Sequence, residues 1–135
     1  MYTFRIIISL MLMFAARPVF NNTVWENERD ELVLDAGTMT VLTSLEFLPG
    51  SRVIERINSH MPPHPASYVN ADGTIDTNPG WTSEWEKQGK YKYRRGKMTI
   101  TFEDEPTMEL TYKNNTLIGK YELTGEEMIF RPKLP

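Results

Sequence analysis

The chain has 135 residues and a formal charge of −3, a length that fits one domain with a single hydrophobic core. Its hydrophobic fraction of 40% and charged fraction of 24% are those of an ordinary soluble protein and exclude a disordered chain. The net negative charge argues against an overall electrostatic field that attracts polyanions. The absence of cysteine excludes disulfides, thiolate metal sites and cysteine nucleophiles.

The first twenty residues have the pattern of an export signal. Arg5 gives a positive start, and residues 6–16 (IIISLMLMFAA) form an apolar run of the length of a signal core, too short to span a bilayer comfortably. A buried N-terminal helix or an irregular first strand is the structural alternative. We expect residues 1–20 to be a signal peptide and 21–135 the domain, giving a periplasmic or secreted product with no stable membrane span and, without cysteine, no lipid anchor at an N-terminal cysteine.

The first half of the domain predicts a hairpin followed by a long loop. Residues 40–47 (TVLTSLEF) are rich in β-branched and apolar side chains, and Leu48-Pro49-Gly50-Ser51 is typical of a turn into a second strand at 52–57. Residues 58–88 hold four prolines and two glycines, which predict a loop. Its tryptophans and tyrosine argue against disorder, so we expect an ordered loop near the mouth of the fold.

The second half predicts short strands that alternate apolar and polar side chains. In the first of them Met98, Ile100 and Phe102 share one face. Asn114 and Asn115 tolerate positive φ and so permit a tight turn. The predicted strands are 97–103, 107–113, 116–123 and 126–131. With no helix pattern after the N-terminus, we predict an all-β antiparallel up-and-down meander of about eight strands that closes into a barrel, with a β-sandwich as the alternative.

Residues 89–104 (GKYKYRRGKMTITFED) concentrate positive charge and then turn acidic. Strand geometry sends Tyr91 and Tyr93 to one face and Lys90, Lys92 and Arg94 to the other, and Arg95-Gly96 is predicted to make the turn into Lys97. A nucleic-acid platform needs bases stacked on rings beside cations that hold the phosphates, and this arrangement separates the two. We therefore expect a solvated hairpin face and no nucleic-acid or heparin binding at physiological salt, with an acidic protein or surface partner as the second interpretation.

No residue pattern in the chain indicates catalysis or a metal. His60 and His64 are four residues apart, but the prolines between and beside them disfavour the helix that would align them as ligands, and we expect two surface histidines in a loop. The chain has no Gly-x-Ser-x-Gly turn and no glycine-rich phosphate loop. We predict no enzyme activity, no catalytic residues, no metal and no cofactor, and a hydrolase has the least support of the functions considered.

Several short motifs resemble those of small lipocalin-like proteins exported by Bacteroidetes-type bacteria. They are an early Thr23-Val24-Trp25, a strand that ends Leu45-Glu46-Phe47 before its turn, the aromatic stretch 89–93 (GKYKY), and closing hairpins through Tyr121 and Phe130. The likeness covers about residues 21–132. It implies a barrel of about eight strands that holds a small apolar ligand or none, and it transfers no catalytic residue.

The strand pattern divides the candidate ligand-binding residues into two groups. Phe102, Leu110 and Tyr112 are expected on the inner, apolar side of the barrel. Four aromatic residues flank the junction of the long loop and the basic hairpin and are expected at the mouth of a pocket: Trp81, Trp85, Tyr91 and Tyr93. The alternative function is a surface interaction protein that uses the basic hairpin against an acidic partner and has no ligand cavity.

Overall fold

The computed structural model describes residues 19–34, 36–121 and 124–134. Within these ranges the chain forms only strands, turns and irregular segments, and no helix there is long and apolar enough to cross a membrane. The strands are β1 (Thr23–Val33), β2 (Gly37–Leu48), β3 (Arg52–Met61), β4 (His64–Pro65), β5 (Thr77–Asn78), β6 (Trp81–Arg94), β7 (Lys97–Phe102), β8 (Met108–Lys113), β9 (Thr116–Lys120) and β10 (Glu127–Pro132). Apart from Val19 and Phe20, the predicted signal segment lies outside the described residues, as does the end of the predicted strand 116–123.

Eight of these strands form a closed antiparallel barrel, in the order β1-β10-β9-β8-β7-β6-β3-β2. Neighbours in the wall are neighbours along the chain, except that β6 follows β3 across the 62–80 connection, and β10 returns to pair with β1. The predicted up-and-down barrel is therefore confirmed, and the β-sandwich alternative is wrong.

The predicted loop 58–88 is wrong in its bounds. β3 continues to Met61 and β6 begins at Trp81, so only residues 62–80 connect the two strands. The extra strand residues were missed because the end of β3 and the start of β6 are mainly polar and lack a clear apolar alternation. These residues are extended because they belong to the ladder of ten residue pairs between β3 and β6. Within the connection, β4 and β5 pair as a small separate sheet.

The tight turns predicted between the strands of the second half are confirmed by their backbone angles. Asn114 and Asn115 have φ of 51° and 57°, and Arg95 and Gly96 have φ of 51° and 80°. Two consecutive positive φ values are what a two-residue hairpin of type I′ requires, because this turn matches the right-handed twist of the strands it joins. These turns bring β6 onto β7 and β8 onto β9.

One end of the barrel, which we call the closed end, is packed with apolar side chains. Phe20 lies across it, with its ring centroid between 4.9 and 5.9 Å from those of Trp25, Phe47, Tyr93 and Tyr112. Burial of the alternating apolar residues confirms the predicted inner face. The other buried members of this core are Leu45, Val53, Met98, Ile100, Phe102, Leu110, Leu117, Met128 and Phe130.

The opposite end, which we call the open end, is built differently because the strands differ in length. β1, β2, β3 and β6 have 10 to 14 residues each, whereas β7 to β10 have 5 or 6. The four long strands are neighbours, so their sheet projects past the short strands as an incomplete wall. The inward-facing side chains of this projection differ in burial: Val41 and Met61 are buried, whereas Trp81 and Trp85 are about half exposed.

Candidate functional site

A cleft of about 940 Å³ lies at the open end, between β1 and the β9–β10 hairpin. Among the described residues, only Trp25 and Glu26 of β1 pair with β10, whereas eleven residues of β1 pair with β2. Beyond Glu26 the two strands therefore diverge, and the cleft occupies the gap. Its floor includes Thr43, Glu55 and Ile57.

Side chains bridge the gap where the backbone pairing stops. The Asn27 side-chain amide donates to the carbonyl of Ile129 (2.9 Å), and the Tyr121 hydroxyl donates to Asn27 Oδ1 (3.0 Å). The Arg29 guanidinium stacks 4.6 Å from the Tyr121 ring centroid, and its Nε donates to Glu31 (2.8 Å). The gap is therefore held by polar and cation–π contacts, which are easier to break than a strand ladder.

The register of the long strands explains why the interior changes from apolar to polar at the cleft floor. Glu55 lies opposite Leu45 of β2 and Lys87 of β6, so a carboxylate and an ammonium group lie directly beside the apolar core. Two residues further along β3, Ile57 lies opposite Trp85. The cleft thus joins a charged layer to apolar side chains that point the same way.

Lys87 is held between two carboxylates and two aromatic rings. Its Nζ lies 3.2 Å from Glu55 Oε1 and also forms an ion pair with Glu105 of the β7–β8 turn. The ring centroids of Phe102 and Trp85 lie 4.4 and 5.1 Å from the same nitrogen. Glu55 is only 3% exposed, so this cluster places a charge inside the barrel and ties the β7–β8 turn to the long sheet.

In this cluster, burial and ion pairing have opposite effects on the pKa values of Glu55 and Lys87. Burial raises the pKa of the Glu55 carboxyl above its ordinary value of 4.5, and the positive charge of Lys87 only partly offsets this. Burial alone would lower the pKa of Lys87, but its hydrogen bonds and charge interactions with Glu105 and Glu55 outweigh that effect and raise the pKa. Lys87 is therefore protonated at neutral pH, and its positive charge favours the ionised form of Glu55.

The structure divides the predicted ligand-binding residues between the two ends of the barrel. Trp81 and Trp85 lie on the inner side of β6 at the open end, about half exposed. Tyr91, Tyr93, Leu110 and Tyr112 pack at the closed end, and Phe102 lies between the two groups. Trp85 and Tyr93 are eight positions apart on β6, about 26 Å along the strand, so the four aromatics predicted at one mouth are not brought together.

The charged floor of the cleft was missed by sequence reasoning, although one signal for it was present. Val53, Glu55 and Ile57 share a face of β3, and so a carboxylate interrupts an otherwise apolar side. A polar residue in such a position is either paired or functional, because burying an unpaired charge is costly. Asn27 and Arg29 gave no comparable signal, since they lie in a uniformly polar stretch of β1, residues 26–31 (ENERDE).

The two histidines do not form a site. His60 belongs to β3, where its exposed ring lies 3.2 Å from Thr82 Oγ1, so the prediction that it lies in a loop is wrong. His64 lies in β4, with Nδ1 3.0 Å from the carbonyl oxygen of Pro62. In the described part of the chain no three His, Cys, Asp or Glu residues are grouped so as to hold a metal ion.

A second surface feature is the basic outer face of the β6–β7 hairpin. As predicted, Lys90, Lys92 and Arg94 are exposed on the side of β6 opposite to its tyrosines. The register sets Lys90 directly against Arg52 of β3, and Arg94 against Lys97 of β7. Like charges directly opposite each other destabilise a sheet, and in the described ranges none of these five cations takes part in an ion pair.

Comparison with known proteins does not identify a family for this chain. A scan against protein-family models, a search of curated proteins and a search of solved structures each found no match. The resemblance to lipocalin-like proteins therefore stands on the residues quoted for it and on the barrel topology.

Proposed function

We propose that this protein binds a small amphipathic molecule in the cleft at the open end of the barrel. The observation that carries the proposal is the contrast between the two ends, since one is filled by side chains and the other holds a cleft of about 940 Å³. Small-molecule sites commonly have volumes of about 300–1,000 Å³ and combine apolar walls with a few polar groups. An up-and-down barrel that takes a ligand at one mouth is a common use of this architecture.

The lining of the cleft argues for a ligand with both an apolar and a polar part. Ile57, Met108 and Met128 supply apolar surface, and methionine side chains adapt to varied shapes. Arg29 and Glu55 place charged groups of both signs beside them. A purely apolar ligand would leave these charges desolvated and poorly compensated, so an alkyl chain that carries a polar head fits better than a hydrocarbon.

Titration with amphiphiles tests this proposal. The probes are a fatty acid, an alkylamine and a lysophospholipid of equal chain length, with binding followed by tryptophan emission and by calorimetry. Trp85 lies opposite Ile57 of the cleft floor and is 53% exposed, Trp81 is 47% exposed, and Trp25 is buried, so a bound chain should shift the emission of the exposed tryptophans to shorter wavelength. We expect saturable binding of at least one probe, and no binding of any of them would overturn the proposal.

A matched pair of variants shows whether the binding site is the cleft. Ile57→Arg puts a charge into the cleft floor, while Ile54→Arg makes the same change three residues earlier on the outer face of β3. We expect Ile57→Arg to lose probe binding and Ile54→Arg to retain it. Thermal melts of both variants establish that the barrel is folded. Equal binding by the two would place the site elsewhere.

We also propose that the chain is exported, on the strength of the apolar run at residues 6–16 behind Arg5. Because Phe20 packs into the closed end of the barrel, we expect cleavage before Phe20 and not at the boundary after residue 20 that the sequence predicted. N-terminal sequencing of protein recovered from outside the cytoplasm tests this. A chain that still begins at Met1 and remains in the cytoplasm would contradict export.

The basic outer face supports a second candidate function, the binding of an acidic partner protein. The like-charge pairs Arg52–Lys90 and Arg94–Lys97 favour this function, because a partner carboxylate placed between each pair would relieve a repulsion that the free protein tolerates. Polyglutamate at low ionic strength is the probe. We expect Lys90→Ser combined with Arg94→Ser to weaken its binding, and no binding by the wild-type protein would overturn this function.

A further inference from the structure

The two ends of the barrel carry opposite charge in their connecting segments. At the closed end, the turns 49–51, 95–96 and 114–115 and the strand residues that flank them contain five lysines and arginines and no acidic residue. At the open end, the described residues of the connections 62–80, 103–107 and 121–126 and the strand residues that flank them contain seven aspartates and glutamates and one lysine, Lys120. The charge is therefore separated along the barrel axis, which a net charge of −3 conceals.

The open end, which carries the acidic residues, also carries most of the exposed apolar side chains. Among the described residues, seven of the nine exposed large hydrophobic side chains lie at the end of β1, in the β1–β2 turn, in the 62–80 connection and in the first half of β6. Leu32 and Leu34 are the most exposed of them, at 80% and 87%. The other two, Val19 and Leu134, lie at the basic closed end. Apolar side chains grouped in this way mark an interaction surface more often than isolated ones do.

We infer that the open end docks onto the closed end of a second copy of this chain, so that the protein associates head to tail. The inference rests on the second proposed function and gives its acidic partner an identity. Acidic connections with protruding leucines and tyrosine would meet basic turns that are accompanied by Val19 and Leu134. Charge complementarity selects this pairing, because two open ends would repel each other and so would two closed ends.

The geometry of the contact predicts how the association behaves. A head-to-tail contact uses different surfaces on the two copies, so each added copy exposes another free end and the assembly grows unless it closes into a ring. The end of one barrel is a small surface, and the contact belongs with the weak interfaces below about 1,200 Å². Association should therefore depend on concentration and should weaken with salt, which screens the opposed charges.

Sedimentation velocity of the whole protein tests the inference. We expect the mean sedimentation coefficient to rise with protein concentration at about 0.01 M ionic strength, where the Debye length is about 30 Å, and to stay constant at about 1 M, where it is about 3 Å. A protein that stays monomeric at low salt and high concentration would overturn the inference. If it still binds polyglutamate, the acidic-partner function survives without self-association; if it does not, both fail.

Two variants separate a head-to-tail contact from other arrangements. The closed-end variant is Arg94→Ser/Arg95→Asn/Lys97→Ser, in which asparagine tolerates the positive φ of position 95. The open-end variant is Leu34→Ser/Asp72→Asn/Asp76→Asn. We expect each alone to be monomeric and an equimolar mixture to form a dimer that grows no further, because each variant retains the end that the other lacks.

The remaining outcomes contradict the inference. A closed-end variant that still associates would mean that the apolar open ends contact each other. The monomeric wild-type protein could instead float with phosphatidylcholine vesicles, and the open-end variant could fail to do so. That result would mean that the exposed leucines bind a membrane surface. Glu109→Gln is the charge control, since Glu109 is exposed on the outer face of β8 and belongs to none of the connections at either end, and it should associate like the wild type.

Discussion

Replacing Lys87 by methionine should destabilise the barrel strongly at neutral pH. The substitution keeps most of the apolar stem beside Phe102 but removes the positive charge 3.2 Å from the Glu55 carboxylate. Breaking a buried ion pair by removing one partner costs about 3–5 kcal/mol. Because the Lys87 side chain is 21% exposed, we expect the lower end of this range, about 3 kcal/mol, which corresponds to a fall in Tm of roughly 10 °C for a domain of this size.

The loss should depend on pH in a defined direction. The pKa of Glu55 is raised by burial, so the folded state holds this proton more tightly than the unfolded state does. The associated stability is fully present below the ordinary value of 4.5 and is lost as pH rises through the folded-state pKa. Removal of Lys87 raises that pKa further. The deficit of Lys87→Met should therefore be small near pH 4 and large near pH 7.

Urea unfolding followed by tryptophan emission at these two pH values measures the effect. A double variant, Lys87→Met with Glu55→Leu, serves as the control, because an apolar pair often replaces a buried ion pair with little loss. We expect it to recover to within about 1 kcal/mol of the wild type at pH 7. A deficit that is equal at both pH values, or a double variant no more stable than the single one, would refute the electrostatic account of this cluster.

Three further substitutions test the packing of the closed end and the seam of the barrel. Phe20→Ala should lower the free energy of unfolding by about 3–5 kcal/mol, as seen in chemical denaturation, because it empties the centre of an aromatic cluster. Gly89→Ala should cost about 1–3 kcal/mol, since a Cβ there would lie 2.6 Å from the Thr101 carbonyl oxygen and 2.7 Å from the Phe102 ring; a Tm equal to that of the wild type would contradict the close approach. Asn27→Ala should cost about 1–2 kcal/mol and speed amide hydrogen exchange along β10, because its side chain bridges the gap where strand pairing ends.

The sequence predicted the fold best where one face of a strand is buried. In β7 and β8 the inner positions are apolar and the outer ones polar, so alternation locates both the strand and its inner face. Asn114-Asn115 and Arg95-Gly96 then placed the turns, because few residues accept the positive φ that such turns need. From these elements the meander and its closure into a barrel follow.

Sequence reasoning failed where the strands extend beyond the core. The ends of β3 and β6 are mainly polar, since one side faces solvent and the other faces the open end, and only the ladder between them shows that they are strands. The cleft has the same origin. Glu55, Lys87 and Glu105 come from three separate parts of the chain, and no local pattern shows that their charges meet.

Both proposed activities trace back to the unequal length of the barrel strands. Because β7 to β10 are short, the barrel is complete only at the closed end, where aromatic side chains fill it. The longer strands continue past it, and the inner face of β1, β2 and β3 lines a cleft with Glu55, the partner of Lys87, at its base. Their connections carry the exposed leucines and acidic residues outward, away from the basic turns. A ligand in the cleft would therefore lie next to the surface that we assign to the second copy, and self-association and ligand binding should influence each other reciprocally.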